Sequence, residues 1–158
     1  MSVSINDFKV YISFLQNKVQ SGGSTTTAQF TELAHRAQMS VFENDWQLYL
    51  KTGEMSDFLA IFLVTATLNP NPLTGYLAYP SDYQHMAGVR SYYGLKERKV
   101  EYLDNKAWTE VMASQLMAPT RSFPKYTEYA GEIRFLPRDV NIVILDYLRE
   151  PVKPVWAY

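Results

Sequence analysis

The chain has 158 residues, enough for one domain with a sizeable core, and 47% of them are hydrophobic. Its 15 basic and 16 acidic residues leave a formal net charge of −1, so no general field draws it to nucleic acid or to an anionic membrane. The absence of cysteine excludes disulfides, thiolate nucleophiles and cysteine-ligated zinc.

The opening residues MSVSINDFKV enter an amphipathic pattern directly, without the basic, apolar and small-residue order of a leader, and the apolar runs are too short to span a bilayer. An unexported, soluble product with no membrane partner is therefore expected. Ser4 and Asp7 form a helix start, and Phe8, Ile12, Leu15 and Val19 repeat at helical spacing, which predicts a first helix over Ile5–Gln20 that ends at Gly22-Gly23. Thr26 and Gln29 form a second capping-box pair, and the spacing predicts a long helix from there to Thr52, with Gly53 as its stop. This helix carries two apolar stripes. One holds Phe30, Leu33, Ala34, Ala37 and Val41; the other holds Met39, Phe42, Trp46 and Tyr49. Two apolar faces need two partners, and the second stripe is the candidate contact with a neighbouring subunit.

From Phe62 onward the period changes from helix to strand. Val64, Ala66 and Leu68 alternate with Thr65 and Thr67, and the turn Asn69–Gly75 leads to Tyr76–Tyr79 as the return strand. Pro80-Ser81-Asp82 reads as a turn into a short helical segment, with Val89–Tyr93 a further strand and Val100–Leu103 pairing locally. Asp104 caps a short helix reaching about Ser114, and Pro119–Pro124 is a loop. Lys125–Ala130 and Ile133–Leu136 form a hairpin, and Val140–Arg149 is a strand apolar on both faces, hence central. The tail EPVKPVWAY is extended and needs a dock for Pro151, Pro154, Val155 and Trp156. The expected architecture is one α+β domain over residues 1–158, with two main N-terminal helices packed on a mostly antiparallel sheet. Residues 1–60 are mainly helical, 61–149 mainly β with a short helix near 104–114, and 150–158 form an extended docking tail.

Chemical motifs are sparse. Asp82 stands three positions before His85, close enough on one helical turn to orient an imidazole, so this pair is the best acid/base candidate for a small soluble enzyme. The plainer reading makes Asp82 a cap and His85 a hydrogen-bonding interface residue beside Tyr83. His35 has Met39 four residues on, so no metal-ligand spacing is present, and no phosphate-loop, dinucleotide or nucleophile-elbow motif occurs. No catalytic, cofactor or metal residue is expected. Arg90 with Lys96-Glu97-Arg98-Lys99 is the candidate for a DNA-contacting virion or packaging protein, although Glu97 and the neutral total weaken it. Tyrosine is abundant at 12 residues and suits protein interfaces; Tyr79, Tyr83, Tyr92, Tyr93 and Tyr102 read as core or interface in preference to a base-stacking platform.

The segments Tyr79-Pro80-Ser81-Asp82-Tyr83-Gln84-His85 with Val89-Arg90, and Val100-Glu101-Tyr102-Leu103-Asp104 with Trp108, resemble small virion proteins of crAss-like and related Bacteroidetes phages. The resemblance continues through Ala118-Pro119-Thr120 with Phe123-Pro124, and through Tyr147-Leu148-Arg149-Glu150-Pro151 to Pro154-Val155-Trp156. With the helical opening it covers nearly the whole chain. Glu150 departs from it, since a basic residue is expected before that proline. The resemblance implies a podovirus neck or tail ring protein, a head-tail adaptor below the portal, made in the bacterial host cytoplasm and residing in the virion. Its partners would be copies of itself in a ring, expected as a dodecamer, the portal protein, other neck and tail ring proteins, and DNA passing without sequence-specific binding. It implies no cofactor and no covalent chemistry.

Overall fold

The computed structural model describes residues 26–114 and 118–154. The first predicted helix, Val155 and Trp156 lie outside the described residues. The described residues form an α+β fold in two compact units, one of residues 26–60 and 151–154, the other of residues 61–114 and 118–150.

In the first unit, helix α1 spans Thr27–Thr52. Its start is the reciprocal box read from the sequence: the Gln29 amide donates to the Thr26 hydroxyl (3.2 Å), and the Thr26 amide donates to the Gln29 side-chain oxygen (3.1 Å). Its end is Gly53 at φ 74°, whose N–H donates to the Tyr49 carbonyl at 2.8 Å. One turn of helix, α2 (Asp57–Ala60), follows. The Ser56 hydroxyl accepts from the Leu59 amide (3.2 Å) and donates to the Asp45 carboxylate (2.7 Å), which ties α2 back to α1 and buries Leu59. Residues 151–154 belong to the same unit, where Lys153 pairs with Glu32 at 2.6 Å.

The second unit has eight strands and one helix: β1 Leu63–Leu68, β2 Tyr76–Ala78, β3 Tyr83–Tyr93, β4 Lys96–Lys99, β5 Glu101–Tyr102, α3 Asn105–Ala113, β6 Lys125–Tyr129, β7 Glu132–Leu136 and β8 Val143–Arg149. They make two four-stranded sheets in the orders β1-β8-β3-β4 and β2-β7-β6-β5. All pairings are antiparallel except β5 with β6. Val89, Val143, Leu145 and Tyr147 from the first sheet share one core with Leu77, Tyr126, Ile133 and Phe135 from the second, with Val100 and Val140 added from loops. The buried central strand β8 sits between β1 and β3, as its unbroken apolar run requires. Asp104 caps α3 by accepting from the Ala107 amide at 2.7 Å. The β6–β7 hairpin turns on Ala130 and Gly131, both at positive φ, the geometry that matches strand twist.

Four expectations are corrected. The sheet is two sheets. Tyr76–Ala78 does not return along β1: Gly75 donates to Asn71 and accepts from Phe135 at 2.9 Å, which steers the chain onto β7. A Cβ at Gly75 would stand 2.9 Å from the Phe135 carbonyl, and φ there is 74°, so this crossing requires glycine. The expected helical segment after Asp82 is instead the first half of the 11-residue β3, whose register slips at Gln84 and again at Ala87 and so hides the alternation of a strand. β8 begins at Val143 and not Val140, because Leu68 of β1 and Ser91 of β3 are the last residues that pair with it.

Candidate interaction surfaces

The inward face of α1 is the aromatic one. Phe42 and Trp46 are buried, with Met39 and Tyr49 half-buried on either side and the Trp46 and Tyr49 rings stacked at 5.3 Å. A large aromatic side chain gains most from leaving water, so it takes the inner position over Leu, Val and Ala. Phe42 and Trp46 are therefore corrected from subunit contact to interior of the chain. On the opposite face Phe30 is buried in the first turn, and beyond it Leu33, Ala37, Val41 and Leu48 lie open along one row, with Leu33 43%, Val41 49% and Leu48 54% exposed. Arg36, Ser40 and Gln47 flank that row, Asn44 interrupts it between Val41 and Leu48, and all four are exposed. Leu48 belongs to neither predicted stripe, and its 7-residue spacing to Val41 was the signal that could have placed it there.

The tail is seated on its own chain as far as it is described. Pro151 is buried, which also removes it from the candidate contacts, and Pro154 is half-buried. Lys153 holds the Glu32 carboxyl below its ordinary range, chiefly by hydrogen bonding and then by charge.

Asp82 and His85 do not share a helical turn. The Asp82 carboxylate accepts from the Tyr147 hydroxyl at 2.9 Å, and Tyr147 lies on the inner face of β8. His85 stands opposite Leu148, on the other face. Asp82 also holds the end of β8 through its carbonyl, which accepts from the Glu150 amide at 2.7 Å.

Around Tyr147 the inner faces of both sheets gather tyrosines. Tyr79 and Tyr83 stack at 4.1 Å, and Tyr83 meets Tyr147 at 6.0 Å. Tyr126 packs on Phe135 at 6.2 Å and takes the edge of Tyr102 at 5.4 Å. Burial, reinforced by the negative charge of Glu128, pushes the Tyr83 and Tyr126 hydroxyls up to about 12 and raises Tyr79 further still. These phenols stay neutral at physiological pH and act as packing groups with polar tips.

The outer face of the first sheet carries a self-satisfied polar row across all four strands. Asp146 of β8 accepts from the Thr65 hydroxyl (2.7 Å) on β1 and from Arg90 Nε (3.1 Å) and Nη2 (2.9 Å) on β3. Arg90 Nη1 donates to Glu97 of β4 at 2.7 Å, and Glu97 also accepts from the Tyr92 hydroxyl at 3.1 Å. A guanidinium shared between two carboxylates offers little to a phosphate backbone, so Arg90 is a poor DNA contact.

No protein-family model matches this chain, and no curated protein matches it.

Among the described residues, no group of three or more His, Asp or Glu side chains is placed to hold a metal ion. No helix among them is long and apolar enough to cross a membrane. At the far end of β3 the hairpin tip exposes Tyr92, Tyr93 and the whole of Leu95. A groove of about 180 Å³ beside it is lined by Tyr93, Arg121, Asp139 and Asn141, with Arg121 Nε donating to the Asp139 carboxylate at 2.8 Å. On the second sheet the Arg134 guanidinium lies against the rings of Tyr76 (4.6 Å) and Tyr129 (3.8 Å). Sequence reasoning missed these features because each depends on cross-strand neighbours that only the fold brings together.

Proposed function

We propose that this chain is a structural subunit of a tailed-phage virion, built with copies of itself into a ring in the neck or tail that joins portal to tail and leaves a channel for DNA. The row Leu33, Ala37, Val41 and Leu48 carries the reading. It is an exposed apolar row over residues 33–48 of a 26-residue helix, broken only by Asn44, while Phe42 and Trp46 on the other side are buried, and such a surface marks a protein contact. The resemblance of the segments around Tyr79–Arg90 and Tyr147–Pro154 to small phage ring proteins supplies the kind of assembly. Arg90 neutralised by Asp146 and Glu97 suits a wall past which DNA slides without being held.

The test is the native mass of the purified chain, alone and with portal complexes. Closed rings are expected, either free or on the portal, and Leu33→Asp with Leu48→Asp should abolish them while the circular dichroism spectrum stays unchanged. A monomer indifferent to the portal would refute the proposal and return attention to Asp82 and His85.

A further inference from the structure

The four outer strands of the two sheets are not protected alike. β4 is charged at every position, Lys96-Glu97-Arg98-Lys99, while β2 has three residues and β5 two. Charge and shortness are the usual devices that keep a sheet edge from pairing with another chain. β1 has neither: Leu63-Val64-Thr65-Ala66-Thr67-Leu68 is six residues long with no charge, proline or glycine. Only β8 pairs with it among the described strands.

The register says which backbone groups β1 presents. Arg149 donates to the Phe62 carbonyl at 3.0 Å, one step beyond the Leu63–Leu148 pair. Hydrogen-bonded pairs recur every second residue of an antiparallel ladder, so Val64, Ala66 and Leu68 bond to β8. Leu63, Thr65 and Thr67 consequently turn their N–H and C=O groups outward, to the open edge.

We infer that this edge binds β1 of a second copy of the chain, antiparallel, with Thr65 opposite Thr65 on the two-fold axis. In that register Leu63 faces Thr67 of the second copy and Val64 faces its Ala66. Each outward pair closes two N–H···O bonds. The strand is complementary to itself in charge as well as in hydrogen bonding. Two copies of β1 bring no charges together, whereas two copies of β4 would set like charges against each other. β-Branched threonines meeting on the outer face favour the pair, and the exposed Leu63 gains cover from Thr67. Pairing extends each four-stranded sheet through the axis into one sheet shared by both copies. The contact is isologous, so it pairs copies and does not itself close a ring. It uses a different surface from the α1 row, and the two proposals can fail separately.

The chain has no cysteine, so Thr65→Cys introduces a single thiol that sits opposite itself in this register. Directly opposed residues in a hydrogen-bonded pair are about 5.5 Å apart at Cα, within disulfide reach. Two copies of Thr67→Cys would instead stand roughly 13 Å apart along the strand, out of reach. Incubation of each variant with oxidised glutathione, followed by a non-reducing gel, should give a covalent dimer from Thr65→Cys and none from Thr67→Cys. Adding Thr67→Pro to Thr65→Cys should cut the dimer yield at least tenfold with the circular dichroism unchanged, because the N–H lost at residue 67 points to the edge and not to β8. No dimer from Thr65→Cys, with its thiol reacting freely with maleimide, would overturn the inference, as would equal dimer from both single variants.

Discussion

In the sandwich of residues 61–150, each apolar inner face has its partner in the same unit: Val89, Leu145 and Tyr147 on one sheet close against Leu77, Ile133 and Phe135 on the other. In α1 the apolar residues lie on opposite sides of one cylinder: Phe42 and Trp46 are buried on one, whereas on the other only Phe30, in the first turn, is buried and Leu33, Val41 and Leu48 stay open. The difference separates two uses of hydrophobic surface. Sandwich residues are committed to stability, and the outer row of α1 is available for contact at little cost to the fold.

The largest effect should come from the sandwich core. Phe135→Ala should lower unfolding stability by about 3–5 kcal/mol, the usual result of emptying a buried aromatic site, measured by denaturant titration with circular dichroism. A loss below about 1 kcal/mol would mean that the two sheets do not share a packed core.

Alkaline titration sharpens the same point. Tyr83 and Tyr126 ionise at about 12 in the folded chain, whereas an unfolded tyrosine does so near 10. Folded pKa values raised in this way contribute stability that is complete below pH about 10 and lost as pH rises through about 12. The phenolate absorbance of these residues should therefore rise together with loss of β structure, and ionisation near pH 10 in an intact fold would contradict their burial.

A smaller effect is expected at the polar row. Asp146→Ala leaves Arg90 with Glu97 alone and Thr65 without its acceptor, and should cost about 1–2 kcal/mol for partly exposed charge-assisted bonds. Asp146→Asn should recover part of that loss. The smallest change in stability belongs to α1: Leu48→Gln should shift it by less than about 0.5 kcal/mol while weakening assembly in a native mass measurement. A stability loss as large as that of Phe135→Ala would erase the distinction between the two regions.

Where local chemistry decides the backbone, the sequence was legible. The Thr26 and Gln29 box, the Gly53 stop, the Asp104 cap, the β6–β7 hairpin and the two-sided burial of β8 all lie where residue types demand them. Legibility ended where distant segments decide. Tyr83–Gly88 contains few β-branched residues and two register slips, so its strand character comes from pairing with β8. The parallel pair of β5 with β6 joins residues more than twenty positions apart. Both α1 stripes were visible in the spacing, but which one turns inward depends on the relative gain from burying aromatic or aliphatic surface. The polar row of Thr65, Asp146, Arg90 and Glu97 draws on four strands, and no spacing along the chain announces it.

The return of residues 151–154 to the helical unit has a consequence for how the molecule is made. The sandwich is a continuous stretch inserted into a discontinuous unit, and its ends are neighbours, since Arg149 bonds to Phe62. On the ribosome α1 emerges before the sandwich and must wait for the Lys153 that pairs with Glu32, while β1 waits only for β8. The sandwich can thus close before the helical unit is completed, because residues 151–154 join that unit only after the whole insert has been made.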